Sequence, residues 1–250
     1  MRLNPSLYRH QIEILRNQRA WETKPVLRQI YAGFYERIAR LIDRSLPGRI
    51  LEIGSGIGNL RSRLPEALSS DVFLNPWLDV VGDAYEVPFA NGAISHLVLF
   101  DVFHHLEAPK CFLKEARRVL TENGRLIVFE PYVSGFSFPV YQWLHPEPLA
   151  WRKRISLQES LPRPRAYYAA QGNATRIFFR RELPTALEGW TIFRAEAIAS
   201  FSYLLSGGFS KPCFYPAGCL PWLQRLDRRL SRSPKIFGAR CLVALTPAKP

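Results

Sequence analysis

The chain has 250 residues, 47% of them apolar and 13% aromatic, enough for the filled core of one α/β domain and too apolar for a disordered chain. The net charge of +13 is unevenly laid out, at +6 over residues 1–50, −5 over 51–150 and +12 over 151–250. Basic flanks around an acidic centre suit an anionic partner (a phosphate-bearing substrate, a membrane surface or nucleic acid) or a merely soluble basic surface.

Residues 5–46 carry apolar side chains at three- and four-residue steps and predict two helices. Pro25 opens the second and Pro47-Gly48 closes it. Residues 1–47 thus read as a helical cap, in which Trp21, Tyr31 and Tyr35 either pack in the core or close over a ligand. The apolar run Ile50, Leu51 and Ile53 predicts a buried strand, and Gly54, Gly56 and Gly58 a tight turn into a short helix over 60–68. Strands are expected over 69–74, with Asp71 near the start, and over 78–81, ending at Gly82-Asp83-Ala84. Only a few residues separate these two, so the usual crossover helix is expected to be severely shortened. Residues 94–100 read as a central strand ending at Asp101, residues 108–120 as a helix, and Asn123-Gly124 as a turn into a strand over 125–130.

Residues 132–180, rich in proline, aromatics (Tyr132 to Tyr168) and arginine, read as a partly helical insertion over the active edge of the sheet. The remainder, 181–250, predicts a short helix over 181–187, strands over 190–201 and 241–245, and a helix over 222–230 within a second basic, aromatic stretch. Strands alternating with helices predict an α/β fold built on a doubly wound, Rossmann-like parallel sheet. Cys111, Cys213, Cys219 and Cys241 lack metal or disulfide spacing and suit a reducing compartment. No run reaches the roughly 20 apolar residues of a membrane span. Arg2, Arg9 and Arg16 break any signal-peptide core, so a cytoplasmic location is expected.

In such a sheet ligands bind beyond the carboxyl ends of the strands. Four polar features fall there. They are Glu52 with its glycines, Asp71 placed for ribose hydroxyls, Asp83 placed for an adenine amino group, and Asp101 leading into Val102-Phe103-His104-His105-Leu106. Any single acid of this set is more often a cap or turn residue; their order and spacing together point to a nucleoside. The glycines do not match a dinucleotide fingerprint, because Asn59 stands where its third glycine belongs.

Leu51 to Gly58, Gly82-Asp83-Ala84 with Val87-Pro88-Phe89, Asp101 to Leu106, Arg118-Val119-Leu120 with Asn123-Gly124, and Glu130-Pro131 together resemble the class I S-adenosylmethionine (SAM)-dependent methyltransferases, type 11, small-molecule branch. The resemblance covers residues 48–131 closely, as a SAM-binding core. It implies seven strands, the last antiparallel, completed by the 190 and 241 segments. It also implies SAM as cofactor, with Gly54, Ser55, Gly56 and Gly58 along its methionine portion and Glu52 near the amino group. Asp71 would hold the ribose, Asp83 and Ala84 the adenine edge, and Asp101 would close the cofactor site. The chain departs from the family pattern in a short stretch between Asp71 and Asp83, and in Asn123-Gly124 replacing a double glycine.

The reaction so implied is in-line transfer of the sulfonium methyl to an oxygen, nitrogen or carbon of a small-molecule acceptor, in which the protein mainly orients the partners. An oxygen or nitrogen nucleophile also calls for a base, and His104 and His105 are the candidates; the competing reading has one cap the next helix and the other pack. Glu130, Tyr132 and His145, with Glu147, are candidates for acceptor contact, and no metal is expected because His145-Pro146-Glu147 lacks metal-ligand spacing. Asp101-Val102-Phe103-His104 stands where base-modifying methyltransferases carry Asn/Asp-Pro-Pro-aromatic, which argues against nucleic acid as substrate. The basic, aromatic stretches suit a bulky anionic acceptor of lipid or glycan type, met at the inner face of a membrane. The rival expectation is a non-catalytic binding or scaffold protein of the same fold.

Overall fold

The computed structural model describes residues 5–160 and 168–248. Helices α1 (Pro5–Thr23) and α2 (Pro25–Ala39) lead into a seven-stranded sheet. Its strands are β1 (Arg49–Ile53), β2 (Leu68–Asp71), β3 (Val80–Val81), β4 (Ile94–Phe100), β5 (Leu120–Pro131), β6 (Trp190–Ala199) and β7 (Gly238–Pro247), in the order β3-β2-β1-β4-β5-β7-β6. The five strands from β3 to β5 are parallel, and β7 runs antiparallel to both β5 and β6. Helix α3 (Pro109–Val119) joins β4 to β5. The short helices α4 (Ser137–Pro139), α5 (Phe201–Leu205) and α7 (Pro234–Phe237) and the longer α6 (Leu220–Leu230) belong to the two connections flanking β6.

The two-residue period of the strands divides the core. Leu51, Leu97, Leu99, Leu126, Val128 and Val243 face α3, whose Phe112, Leu113, Ala116 and Val119 recur at three- and four-residue steps. Ile50, Val98, Ile127, Phe129 and Leu242 face the other way, onto Leu27, Ile30, Phe34 and Ile38 of α2. Each such large side chain is worth about 1.5–3 kcal/mol when fully buried. Tyr31 and Tyr35 lie in this second layer, ring against ring with Phe100, so of the two expected roles they take core packing.

Several local expectations are corrected. Beyond the glycine turn the chain makes only a single 3-10 turn, Asn59–Ser62, because Pro65 lacks an N–H and disfavours helical backbone at the residue before it. Strand β2 stops at Asp71 instead of continuing to residue 74, which puts the acid at the strand's carboxyl end. The eight residues 72–79 then reach β3 without a helix, turned by Asn75, whose Oδ1 accepts the Trp77 N–H at 3.0 Å. Asn123-Gly124 is not a turn before β5 but a bulge within it, across which the pairing with β4 jumps from Ile94–Leu120 to His96–Arg125. The short helix expected over 181–187 is a 3-10 turn confined to Pro184–Leu187.

The connection after β5 is packed onto the sheet. Ile177 and Phe178 join the α3-side core, and Phe178 lies 4.9 Å from the Phe103 ring. Val133, Tyr141 and Leu149 form a third cluster with Trp151 and Leu204. Tyr167, counted with this stretch in the sequence, lies outside the described residues.

Candidate active site

The carboxyl ends of β1, β2, β4 and β5 form one edge with two walls. The first is the glycine turn. Gly54 has φ +69°, and a Cβ there would stand 2.3 Å from Val102 Cγ2, so glycine lets β1 meet the loop after β4. Gly56 has φ +52°, with nothing within 4 Å of a Cβ, and so leaves bare backbone facing open space. Asp71 holds this turn: one carboxylate oxygen accepts the Gly56 N–H at 3.1 Å and the other the Phe73 N–H at 3.1 Å. Glu52 is buried behind the glycines. Burial first, and the Asp71 charge second, push its carboxyl up to about 8, while Arg61 pulls the other way. Among the described residues Glu52 Oε2, Ser55 Oγ and Ser69 Oγ are buried with no hydrogen-bond partner. Asp83, in the loop after β3, accepts the Tyr85 N–H at 2.8 Å beside Ala84.

A buried acid and two unused hydroxyls around an open glycine backbone fit the methionine end of SAM, whose ammonium would give Glu52 its missing partner. Asp71 and Asp83 stand at the ends of β2 and β3, where a nucleoside would continue. When bound, SAM supplies a sulfonium methyl to a nucleophile in line with it.

The second wall follows β4 and β5. Asp101 adopts φ +57°, uncommon for a residue with a side chain, and its carboxylate lies 2.6 Å from Arg240 Nη2. Arg240 is 2% exposed, with its guanidinium 4.9 Å from the Phe129 ring centre, 5.3 Å from Tyr203, 5.5 Å from Phe100 and 5.8 Å from Phe34. Glu130 is fully buried. Its Oε1 accepts the Val102 and Phe103 N–H groups at 2.7 and 2.6 Å, and its Oε2 accepts from His104 Nδ1 at 2.6 Å. The other nitrogen of His104 faces Glu147 Oε2 at 3.2 Å, and His105 Nε2 lies 3.4 Å from Glu147 Oε1. His105 Nδ1 donates to the Tyr168 carbonyl at 2.9 Å, and the Gln171 amide donates to Glu147 at 2.5 Å. Ala170 N–H bonds the His104 carbonyl at 2.9 Å, so residues 168–171 are laced along this corner.

The two histidines differ in electrostatics. Burial alone would lower His104, but the Glu130 and Glu147 carboxylates outweigh it and hold the imidazolium up to about 10. Burial, and then the His104 charge, lower His105, whose side chain keeps 32% exposure.

Three of the residues expected at this wall are buried. Glu130 does not reach an acceptor, because it is fully buried and clamps the backbone and His104. Tyr132 packs edge-on against Phe179 in the core, its ring centre 5.0 Å away. His104 has both ring nitrogens against carboxylates, Glu130 and Glu147. Asp101 joins the site through Arg240, which the sequence reading missed; a lone arginine heading an apolar strand was the available sign. His145 sits half-buried beside Tyr141, its Nδ1 accepting the Glu147 N–H at 3.2 Å. Gln171 had no sequence signal. A cavity of about 590 Å³, lined by Asp43, Arg49 and His96 among others, opens at the opposite, amino-terminal end of β1 and β4 and takes no part in this site.

Residues 51–128 match the family described as methyltransferase domain. The fold resembles a methyltransferase in complex with the Trm112 methyltransferase activator of Haloferax volcanii (TM-score 0.55, 14% identity, 96% of each chain covered). It also resembles a SAM-dependent methyltransferase of Thermotoga maritima (0.52, 15%, 94% of this chain and 99% of that one). A third likeness is geranyl diphosphate C-methyltransferase from Streptomyces coelicolor in complex with Mg2+, geranyl diphosphate and S-adenosyl-L-homocysteine (0.50, 11%, 87% and 81%). No curated protein matches the chain. Residues 51–128, from the glycine turn through β5, thus carry a methyltransferase-domain segment within the fold of SAM-dependent methyltransferases, beside a pocket wall that fits the cofactor.

Proposed function

We propose that the protein methylates an oxygen or nitrogen of a small-molecule acceptor that meets His105 and Glu147 and gives up its proton at that corner. The observation that carries this reading is the contrast between the two histidines: His104 is sealed between Glu130 and Glu147, while His105 is oriented by the Tyr168 carbonyl and keeps an exposed flank. The Gly54–Gly58 turn and Asp71 hold the cofactor, and the corner presents the acceptor, so alignment of the reacting atoms supplies most of the rate. Replacing His105 by Ala is expected to lower kcat by about 10²–10⁴-fold with SAM affinity unchanged, measured as S-adenosylhomocysteine release over an acceptor screen. An unaltered kcat removes His105 from the reaction. The rival, a non-catalytic scaffold of this fold, predicts no S-adenosylhomocysteine with any acceptor.

The acceptor class follows from the surface. Trp143, Leu144, Phe214, Trp222 and Ile236 are exposed large apolar side chains, and the region from 151 onward carries the +12 charge. The charge favours an anionic acceptor and the apolar side chains an amphiphile of lipid or glycan type, taken up by peripheral contact with the inner face of a membrane, while Asp101-Val102-Phe103-His104 in place of Asn/Asp-Pro-Pro-aromatic argues against nucleic acid. Among the described residues no helix is long and apolar enough to cross a membrane. Sedimentation with vesicles of anionic against neutral lipid at low salt tests this, and equal binding to neither discards the membrane part.

A further inference from the structure

We propose that His104, His105 and Glu147 form a binding site for one first-row divalent transition-metal ion, of the two-histidine, one-carboxylate kind. The fold supplies what the linear spacing does not. Adjacent histidines on the 3-10 turn Phe103–His105 meet a glutamate from the connection after β5, and their ligating atoms all lie within 4.8 Å of one another. The separations suit coordination. Ligand atoms about 2.1 Å from a four-coordinate ion stand about 3.4 Å apart, and the two imidazole Nε2 atoms lie 3.2 and 3.4 Å from the Glu147 oxygens they face.

The surroundings are those of a ligand set. Metal-bound histidines give their second ring nitrogen to a carboxylate or a backbone carbonyl, which fixes the tautomer and aims the first. Here His104 Nδ1 is taken by Glu130 at 2.6 Å and His105 Nδ1 by the Tyr168 carbonyl at 2.9 Å, leaving both Nε2 atoms directed at Glu147. Glu147 is itself oriented by the Gln171 amide at 2.5 Å. An ion at this corner would face both Nε2 atoms and the Glu147 carboxylate at once. On binding, the Nε2–H bond of His104 breaks, its lone pair forms the metal bond, and the proton leaves to solvent. That the ion would then lower the pKa of an acceptor hydroxyl or amine rests on the methyl-transfer reading above; the binding itself does not.

The test is titration of chelator-treated protein with Co2+ and then Zn2+, read by calorimetry and by the visible absorption of bound Co2+. One ion per chain is expected, with release of protons at pH 7. His105→Asn and Glu147→Gln, both at partly exposed positions, should each weaken binding at least tenfold while circular dichroism and SAM affinity stay as in the wild type. No binding by the wild type, or equal affinity in both variants, overturns the site. S-adenosylhomocysteine formation is followed in parallel: its absence with metal binding intact counts against the methyl-transfer reading and leaves the metal site standing.

Discussion

The two walls of the site are made in different ways. The glycine wall is assembled from neighbours in sequence: Glu52, Gly54, Gly56 and, one strand away, Asp71, which bonds straight back to the Gly56 N–H. The opposite wall gathers Asp101, His104, Glu130, Glu147, Gln171 and Arg240 from β4, β5, the connection after β5 and β7. The first wall relies on backbone conformation and an unpaired buried acid. The second relies on charges that neutralise one another across long stretches of chain. A local wall suits a cofactor that many proteins share, and a composite wall suits an acceptor and a chemistry particular to one chain.

If the composite wall depends on mutual neutralisation, removing one partner should cost more than removing both. Arg240→Met is expected to destabilise the protein by about 3–5 kcal/mol in urea unfolding, because it removes the buried cation and leaves the partly buried Asp101 carboxylate without its partner. Adding Asp101→Asn should recover part of that loss, and a double variant no better than the single would show that the ring cage around Arg240, and not the pair, carries the energy. The glycine wall should respond to shape instead. Gly54→Ala forces both a positive φ and an overlap with Val102, and should cost about 2–4 kcal/mol. Val102→Ala in the same chain should relieve the overlap but not the backbone strain.

This difference also explains what the sequence disclosed. The glycine turn, Asp83 in the loop after β3 and the strands through β5 were legible because their signals are local: apolar runs, turn residues and acids near strand ends. The helices missing after β1 and β2 were only partly so. Pro65 in one segment and eight residues in the other leave no room for regular helix, but the pattern alone suggested one over 60–68. The composite wall was hardly legible. Nothing within Glu130-Pro131 says that its carboxylate turns inward to clamp His104, and nothing near Arg240 announces a partner at Asp101. Glu147 drew notice as a candidate for acceptor contact beside His145, with no sign that its geometric partners are His104 and His105.

A pH-dependent effect concerns the unpaired acid of the glycine wall. The Glu52 carboxyl, held up to about 8 against an ordinary 4.5, keeps its proton in the folded state over a window where the unfolded chain has lost it. The folded state therefore binds more protons between these values, and stability must fall as pH rises, by up to about 1.4 kcal/mol per pH unit, levelling off above the folded pKa. Glu52→Gln removes this contribution, so the difference between variant and wild type should grow from pH 5 to pH 8 in favour of the variant, read by urea unfolding without cofactor. The same variant should bind SAM more weakly, because the ionised carboxylate is the form that would pair with the cofactor's ammonium. In the wild type that pairing should release a proton at pH 7, visible as a dependence of the calorimetric binding enthalpy on the ionisation enthalpy of the buffer. A buffer-independent enthalpy would place the ammonium elsewhere and leave Glu52 as a buried acid that only lowers stability.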